Sequence, residues 1–372
     1  MTLTSEETSN RKIQLSGVIS ALVRPQIDTL DQMELDIEDF EALRTYLSLH
    51  VGCCEPAHIQ RLLGGVSNRT VQVSWKDGSA WVLKQALTKL RVHEDWFSSP
   101  DRIHVEAKAL RWLNRLAPPD TTPTLVFEDP SHHLIAMEAI PEKHENWKSM
   151  LLSGGIDRDH FEQFGFLLGT IHRKSSESGP ALRRAFADTA FFESLRLEPY
   201  YDYTARKAAS AAGFLATLRH ETLRHKLSLV HGDFSPKNVL VYQGRLILLD
   251  HEVVHFGDPA FDLGFAFTHF LSKANHLPKE RSILSDAAEI CWRRYFKEVE
   301  PLHWHQLEER CVRHALACLV ARTIGKSPLE YLTSEEAARQ TEVVVELMAS
   351  PPLYFVDLIS KFLRQIENHG KN

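Results

Sequence analysis

Apolar residues Phe40, Leu43, Tyr46 and Leu47 recur at three- and four-residue spacing in DIEDFEALRTYLSLHV, which predicts a helix over 36–51. Residues 1–35 carry no such period and read as an N-terminal extension. The pattern then changes to alternation. HIQRLLGG leads into NRTVQVSW, the turn KDGS and AWVLKQAL, which together predict a run of strands. Asp77-Gly78 is a hairpin signal, because both residues tolerate positive φ. SPDRIHVEAKALRWLNRLA is amphipathic and predicts a helix, capped by Ser99 or Asp101 and stopped by Pro118-Pro119. TPTLVFED and HHLIAMEAI predict two more strands, and Pro141 follows at once.

From there helical spacing dominates, in DRDHFEQFGFLLGTIHRKSS and in the stretch from Pro199 to His225. One strand-rich island interrupts it: NVLVYQGRLILLD reads as a hairpin with Gln243-Gly244 at its tip. Several helices run from there to the C-terminus. The order predicts an α+β fold in two lobes. A strand-rich N-lobe covers 36–140 and holds one helix between strands. A short link near Glu138 to Pro141 leads to a mainly helical C-lobe over 141–372.

Composition narrows the classes. The chain has 372 residues, more than one small core needs. Hydrophobic residues make up 43% and charged residues 25%, which is ordinary for a soluble globular protein. A net charge of −6 argues against nucleic acid as a partner, since a binder needs a basic footprint. No apolar run approaches a membrane span and the first 30 residues do not read as a signal peptide, so no membrane partner is expected. Cys53, Cys54, Cys291, Cys311 and Cys318 show no metal spacing. They fit a reducing, cytoplasmic setting, with Cys311 and Cys318 as buried small hydrophobes on a helix. His303 and His305 stand two apart, which is not one helix face, and His132-His133 reads as loop. The pattern does not fix the oligomeric state; a homodimer is among those it allows.

LVHGDFSPKNVL carries the chemistry. His231, Asp233 and Asn238 share one loop between apolar runs, and the following hairpin ends on Asp250, twelve residues after Asn238. Asp233, Asn238 and Asp250 can therefore converge. Phosphoryl transfer needs such a set: a carboxylate to orient the attacking hydroxyl and take its proton, and oxygen ligands for Mg²⁺ on the nucleotide. His231 suits loop fixing by hydrogen bonds better than Mg²⁺.

HGDFSPKN followed by LILLDHE resembles the aminoglycoside phosphotransferase and choline kinase superfamily, which has the bilobal protein-kinase-like fold. The resemblance covers roughly residues 40 to 345. It implies Asp233 as catalytic base in contact with the substrate, Asn238 and Asp250 as metal ligands, and Asp262 of GDPAFDLG as a brace for the catalytic loop. In the N-lobe it implies a phosphate-covering loop at Gly64, Gly65, Ser67 and Asn68, a phosphate-binding Lys84 held by Glu106, and an adenine site along Met137, Glu138 and Ile140. From the residues alone, a Lys in an apolar strand is commonly an edge or snorkelling residue.

VLKQALTKLRVHEDWFSSPDRIHVEAKAL and LLDHEVVHFGDPAFDLG are similar to the 5-methylthioribose kinase branch. That likeness implies Glu252 as a second carboxylate of the metal site. ARTIGKSP resembles the segment that carries two adjacent arginines near the sugar in that branch. Here Ala321 replaces the first and Arg322 remains as the implied substrate residue. Asn238 also departs from the branch, which usually lacks it.

The expectation is an ATP- and Mg²⁺-dependent kinase that phosphorylates a hydroxyl of a sugar such as methylthioribose or a related pentose. One alternative is an aminoglycoside or amino-alcohol phosphotransferase, which the net basic tail KFLRQIENHGKN disfavours. The other is a non-catalytic nucleotide-binding module of the same fold.

Overall fold

The computed structural model describes residues 35–63, 65–91 and 95–369. It divides the chain into two units, Met1–Asp36 and Ile37–Asn372, and the strands and helices of the described residues all lie in the second. The predicted extension over 1–35 lies almost wholly outside the described residues, as does Gly64.

Helix α1, Phe40–Tyr46, starts at Asp39, whose carboxylate accepts the N–H groups of Glu41 and Ala42 at 3.1 and 3.2 Å. Its last turn widens into a π-helical segment, Leu47–Val51, ended by Gly52 at φ 67°. Strands β1 (His58–Arg61), β2 (Asn68–Ser74), β3 (Ala80–Ala86), β4 (Leu125–Asp129) and β5 (Leu134–Glu138) form one antiparallel sheet in the order β1-β2-β3-β5-β4. The β2–β3 turn closes with Gly78 at φ 86°, the one position there that needs the left-handed region. Asp77 instead accepts the Ser79 N–H at 2.9 Å.

Helix α2, Arg102–Leu116, crosses between β3 and β4. Its N-cap position is Asp101, one of the two residues predicted to cap it, but no side chain makes a capping bond; the Ser99 hydroxyl instead accepts the Asp101 N–H at 3.3 Å just ahead of the helix, and Ala117 leaves it in extended backbone before the two prolines. Ile103, Ala107 and Leu110 on its inner face pack on Ile135 and Met137 of the sheet.

The C-lobe opens with a two-residue strand β6 (Glu145–Asn146) and α3 (Trp147–Leu152), then α4 (Arg158–Glu177) and α5 (Pro180–Ala185). The predicted helix from Pro199 to His225 is not continuous. A π-helical segment Glu193–Asp202 runs into α6 (Tyr203–Lys207), the backbone breaks at Ala208 with φ −123° and ψ 89°, and α7 covers Ala212–Arg224. The small residues around Ala208 supply no continuous apolar stripe to hold one helix across the break.

Strand β7 (Ser228–Val230) pairs antiparallel with β10 (His255–Gly257). Between them lies the predicted hairpin, β8 (Val239–Tyr242) and β9 (Arg245–Leu248), with Gln243 and Gly244 both at positive φ. Helices α8 (Ala260–His276), α9 (Arg281–Val299), α10 (Leu307–Ile324), α11 (Ser334–Ala349) and α12 (Phe355–His369) complete the lobe. Helix α8 is buried from Ala260 to Asn275. It approaches α10 at Gly264, where a Cβ would stand 2.3 Å from the His314 Cβ. No helix among the described residues is long and apolar enough to cross a membrane.

Two buried histidines give this core a pH dependence. His314 on α10 meets the Tyr201 hydroxyl at 2.6 Å, and His255 on β10 stacks on Phe192 at 4.0 Å. Burial, above all, lowers both to about 4 from an ordinary 6.5. The unfolded chain takes up these protons below about pH 6.5, the folded chain only near 4. Their contribution is therefore full above pH 6.5 and is lost as pH falls towards 4, on the order of 2–3 kcal/mol for each ring. The urea midpoint is expected to drop steeply from pH 7 to 5, and less steeply in the variant carrying His255→Gln and His314→Gln. A flat midpoint over that window would remove these rings from any part in acid unfolding.

Candidate active site

The sheet fixes the first group. Lys84 sits on β3 with Thr70 on one side and Ile135 on the other, so it belongs to a central strand and not to an edge. Its ammonium donates to both Glu106 oxygens, at 2.8 and 3.0 Å, and to Asp250 Oδ1 at 2.9 Å. Burial alone would lower the Lys84 pKa, but the charges of Asp250 and Glu106 outweigh it and hold the group protonated. Burial pushes the Glu106 carboxyl up, against the pull of Lys84. One cation thus ties β3, α2 and Asp250, two residues past the end of β9.

Asp262, at the start of α8, fixes the second group. Its Oδ2 accepts the His231 N–H at 2.7 Å and its Oδ1 the Gly232 N–H at 2.8 Å. His172 meets Oδ2 at 3.2 Å and is backed by the Tyr295 hydroxyl at 2.9 Å. Burial would raise the Asp262 carboxyl, but these hydrogen bonds, that of His172 first, hold it below its ordinary value. Gly232 stands at φ 78°, and a Cβ there would lie 2.8 Å from Val253 Cγ2, so the turn admits only glycine. The His231 Nδ1 accepts the Asp233 N–H at 3.1 Å while Nε2–H reaches Leu249 O at 3.2 Å. Burial, first, lowers the pKa of this ring and keeps it neutral for those two roles.

So held, the Asp233 carboxylate meets Arg196 Nη2 at 2.8 Å and Lys237 Nζ at 3.9 Å. Burial raises this carboxyl, yet Arg196 and Lys237 bring it below its ordinary value. Asn238 donates through Nδ2 to Asp233 O at 3.0 Å, and its Oδ1 has no protein partner among the described residues. Asp250 follows β9 at φ 68°. Burial raises its carboxyl too, and Lys84 overrides this and keeps it ionised.

Lys84, Asp233, Asn238, Asp250 and Glu252 line one cavity of ≈ 890 Å³ between the sheet and the C-lobe. Gly65, Ser67, Asn68, Met137, Glu138, Ile140 and Arg322 line it as well. Glu106, His231 and Asp262 stand behind its wall. Oxygen donors from Asp250 and Asn238, with no thiolate or imidazole among them, have the chemistry a Mg²⁺ ion takes.

Two features differ in detail from the simplest reading of the sequence. The Asn68 amide donates to Glu252 Oε2 at 3.3 Å and to Ser67 Oγ at 3.1 Å. Glu252 Oε2 also meets Arg102 Nε at 3.1 Å. Arg102 is wholly buried and donates to Leu87 O at 2.8 Å, Ser99 O at 2.9 Å and the Ser67 carbonyl. It joins the segment before β2, the end of β3 and the start of α2 to Glu252 of the C-lobe. Sequence reasoning passed over Arg102, although it stands in the DR of the segment that carries the resemblance. It also passed over Arg196, whose helix pattern hides its role, and Lys237, which stands inside the quoted SPKN.

A two-lobed antiparallel-sheet and helical architecture around this cleft is that of the kinase-like phosphotransferases. The family model described as phosphotransferase enzyme family matches residues 58–315, and the chain belongs to that family. It is a small-molecule kinase with a hydroxyl acceptor. It is similar to the methylthioribose kinase of Klebsiella pneumoniae (strain 342), 26% identical over 272 residues, 65% of this chain and 68% of that one. It is also similar to that of Pectobacterium atrosepticum, 28% identical over 227 residues, 53% of this chain and 55% of that one. Among solved structures, amicoumacin kinase hAmiN in complex with AMP-PNP, Ca²⁺ and Ami aligns with a TM-score of 0.57 at 15% identity, over 86% of this chain and 96% of that one. The GDP complex of aminoglycoside 2'-phosphotransferase-IIIa aligns at 0.50 and 14% identity, over 90% and 99%. These two likenesses bear on the fold.

Proposed function

We propose that the protein transfers the γ-phosphoryl group of ATP to a hydroxyl of a small sugar-like molecule, with Mg²⁺ as the metal. The observation that carries this reading is the convergence of Lys84, Asp233, Asn238 and Asp250 on one cavity. Asp250 and Asn238 would hold the metal, with Glu252 as a further carboxylate. Bound there, Mg²⁺ would neutralise phosphate charge as the bond to the leaving oxygen breaks. Lys84, fixed by Glu106, donates to the phosphates. The backbone along Met137, Glu138 and Ile140 takes the adenine, and the segment from Gly65 to Asn68 covers the phosphates.

Asp233 accepts a hydrogen bond from the attacking hydroxyl, aims its oxygen at the γ-phosphorus and takes the proton as the new bond forms. Its pairing with Arg196 makes it a weak base. In a loose phosphoryl-transfer transition state the hydroxyl loses its proton late, so orientation contributes more than basicity. Asp262 and His231 serve by holding that carboxylate in place. Arg322 lies on the acceptor side. The methylthioribose kinase likeness supports a sugar-type acceptor, while Ala321 and Asn238 leave methylthioribose itself as one member of a wider set.

Thermal shift tests the nucleotide half. ATP with Mg²⁺ is expected to raise the midpoint well beyond ATP with EDTA, since ligand that binds only the folded state stabilises it by mass action. A shift equal with and without metal would favour a non-catalytic nucleotide-binding module, and no shift with ATP would remove the nucleotide site.

A further inference from the structure

Beyond Asp233 the cavity wall changes character. Lys148, Arg196, Lys237 and Arg322 line it there, against the carboxylates of Asp233 and Glu330. Asp233 is shared by Arg196 and Lys237. Glu330 is paired with Lys148. Arg322 is left over. Its Nη1 donates to Ser327 O at 2.8 Å and Ser327 Oγ at 2.9 Å, and its guanidinium lies 5.1 Å from the Tyr200 ring centre and 5.4 Å from that of Phe265. Its buried Nε has no hydrogen-bond partner, and no carboxylate lies within ion-pair distance of it among the described residues.

His269, one turn after Phe265 on α8, also lines the cavity, is 3% exposed and has a buried Nε2 without a partner. Behind it Lys273 is fully buried. Among the described residues its ammonium reaches only the His269 carbonyl, at 3.4 Å, and the face of Tyr331, at 5.3 Å. Burial first, then Lys148, lowers the Lys273 pKa to about 7 against the pull of Glu330. Burial and the charges of Arg322, Lys273, Lys237 and Lys148 hold His269 neutral. The Tyr331 hydroxyl is buried without a partner as well.

Glu330, whose side chain is 67% exposed, is paired with Lys148, while Arg322, itself only 7% exposed, has no carboxylate at ion-pair distance among the described residues. Excess buried charge of one sign is costly unless a counter-ion arrives. Arg322 lines the cavity and donates only Nη1 bonds, both to Ser327, among the described residues, so its guanidinium stands where such an ion would be met. We propose that the acceptor is a hydroxylated anion, carrying a carboxylate or phosphate group that seats against Arg322, Lys148 and His269 while its hydroxyl faces Asp233. This rests on the kinase function proposed for the same cleft and deepens it. A polycationic acceptor meets like charge here. A neutral sugar leaves Arg322 uncompensated. The planar Arg fork matches an oxyanion, and the Lys148–Glu330 pair can open to supply a second cation.

The test uses the full chain with Mg²⁺-ATP and matched trios as acceptors: ribose, ribonate and ribose 5-phosphate, then glucose, gluconate and glucose 6-phosphate. Kanamycin serves as the polycation. An anionic member is expected to exceed its neutral counterpart by roughly 10- to 150-fold in kcat/KM, as for one charged contact. The winning member tells carboxylate from phosphate. Arg322→Gln and Lys148→Met are each expected to raise the acceptor KM and erase that preference without moving the ATP KM. Neutral members equal to or better than the anions, or kanamycin as the best acceptor, would overturn the proposal.

A second arm reads binding without turnover, as the thermal midpoint with Mg²⁺-AMP-PNP and each acceptor. A saturable rise with the anions alone, lost in Arg322→Gln, supports the anion site even if no acceptor is phosphorylated, and that outcome counts against the kinase reading instead. No rise with any anion would overturn the site.

Discussion

Replacing Asp233 with Asn is expected to lower kcat by roughly 10²- to 10⁴-fold, the range a positioned proton acceptor commands. The amide keeps the shape of the carboxylate and can still touch the acceptor hydroxyl. It cannot take the proton, and it turns one hydrogen-bond acceptor into a donor. The nucleotide half does not depend on it. Lys84 is held by Glu106 and Asp250 at 2.8 to 3.0 Å, so the ATP KM and the metal-dependent thermal shift should persist. The variant also leaves Arg196 without its 2.8 Å partner. A drop in melting temperature is therefore expected beside the loss of turnover. Steady-state kinetics on folded protein, with circular dichroism as the control, separates the two. Turnover within about threefold of the parent, well short of the loss expected of a positioned base, would remove Asp233 from the role assigned to it.

Asp250→Asn should act through the metal. The residue stands at φ 68°, a region that Asn tolerates and β-branched residues do not, so the backbone survives the change. A charged oxygen ligand becomes a neutral one, and the carboxylate that meets Lys84 at 2.9 Å is lost. The Mg²⁺ concentration for half-maximal rate is expected to rise by about 10- to 100-fold, the scale on which changes around a metal site act. The rate at low Mg²⁺ should be nearly abolished and partly regained at high Mg²⁺ or with Mn²⁺. An unchanged Mg²⁺ titration would place the metal elsewhere.

The grouping of Asp233, Asn238 and Asp250 was readable because its geometry is local. Asp233 and Asn238 share one loop, and a hairpin of fixed length brings Asp250 back beside them. Lys84 was readable through strand alternation, and the sheet register makes its central position plain. Arg102, Arg196 and the cation group around Arg322 were not. Each lies on a helix whose period assigns it to a face but not to a partner, and the carboxylates that Arg102 and Lys148 meet lie 150 and 182 residues away. The short strands β6, β7 and β10 escaped notice because two or three residues carry no period. The break at Ala208 escaped because alanine is a good helix former, and only packing decides where such a helix ends.

The most direct measurement of the central claim is ³¹P NMR of the protein with Mg²⁺-ATP and the acceptor trios. The expected result is loss of the γ-phosphate signal, equal growth of ADP, and a new phosphomonoester resonance that is absent without acceptor and absent with Asp233→Asn. ADP appearing only with inorganic phosphate, or an unchanged ATP spectrum with every acceptor while the protein is folded and binds nucleotide, would contradict phosphoryl transfer by this cleft.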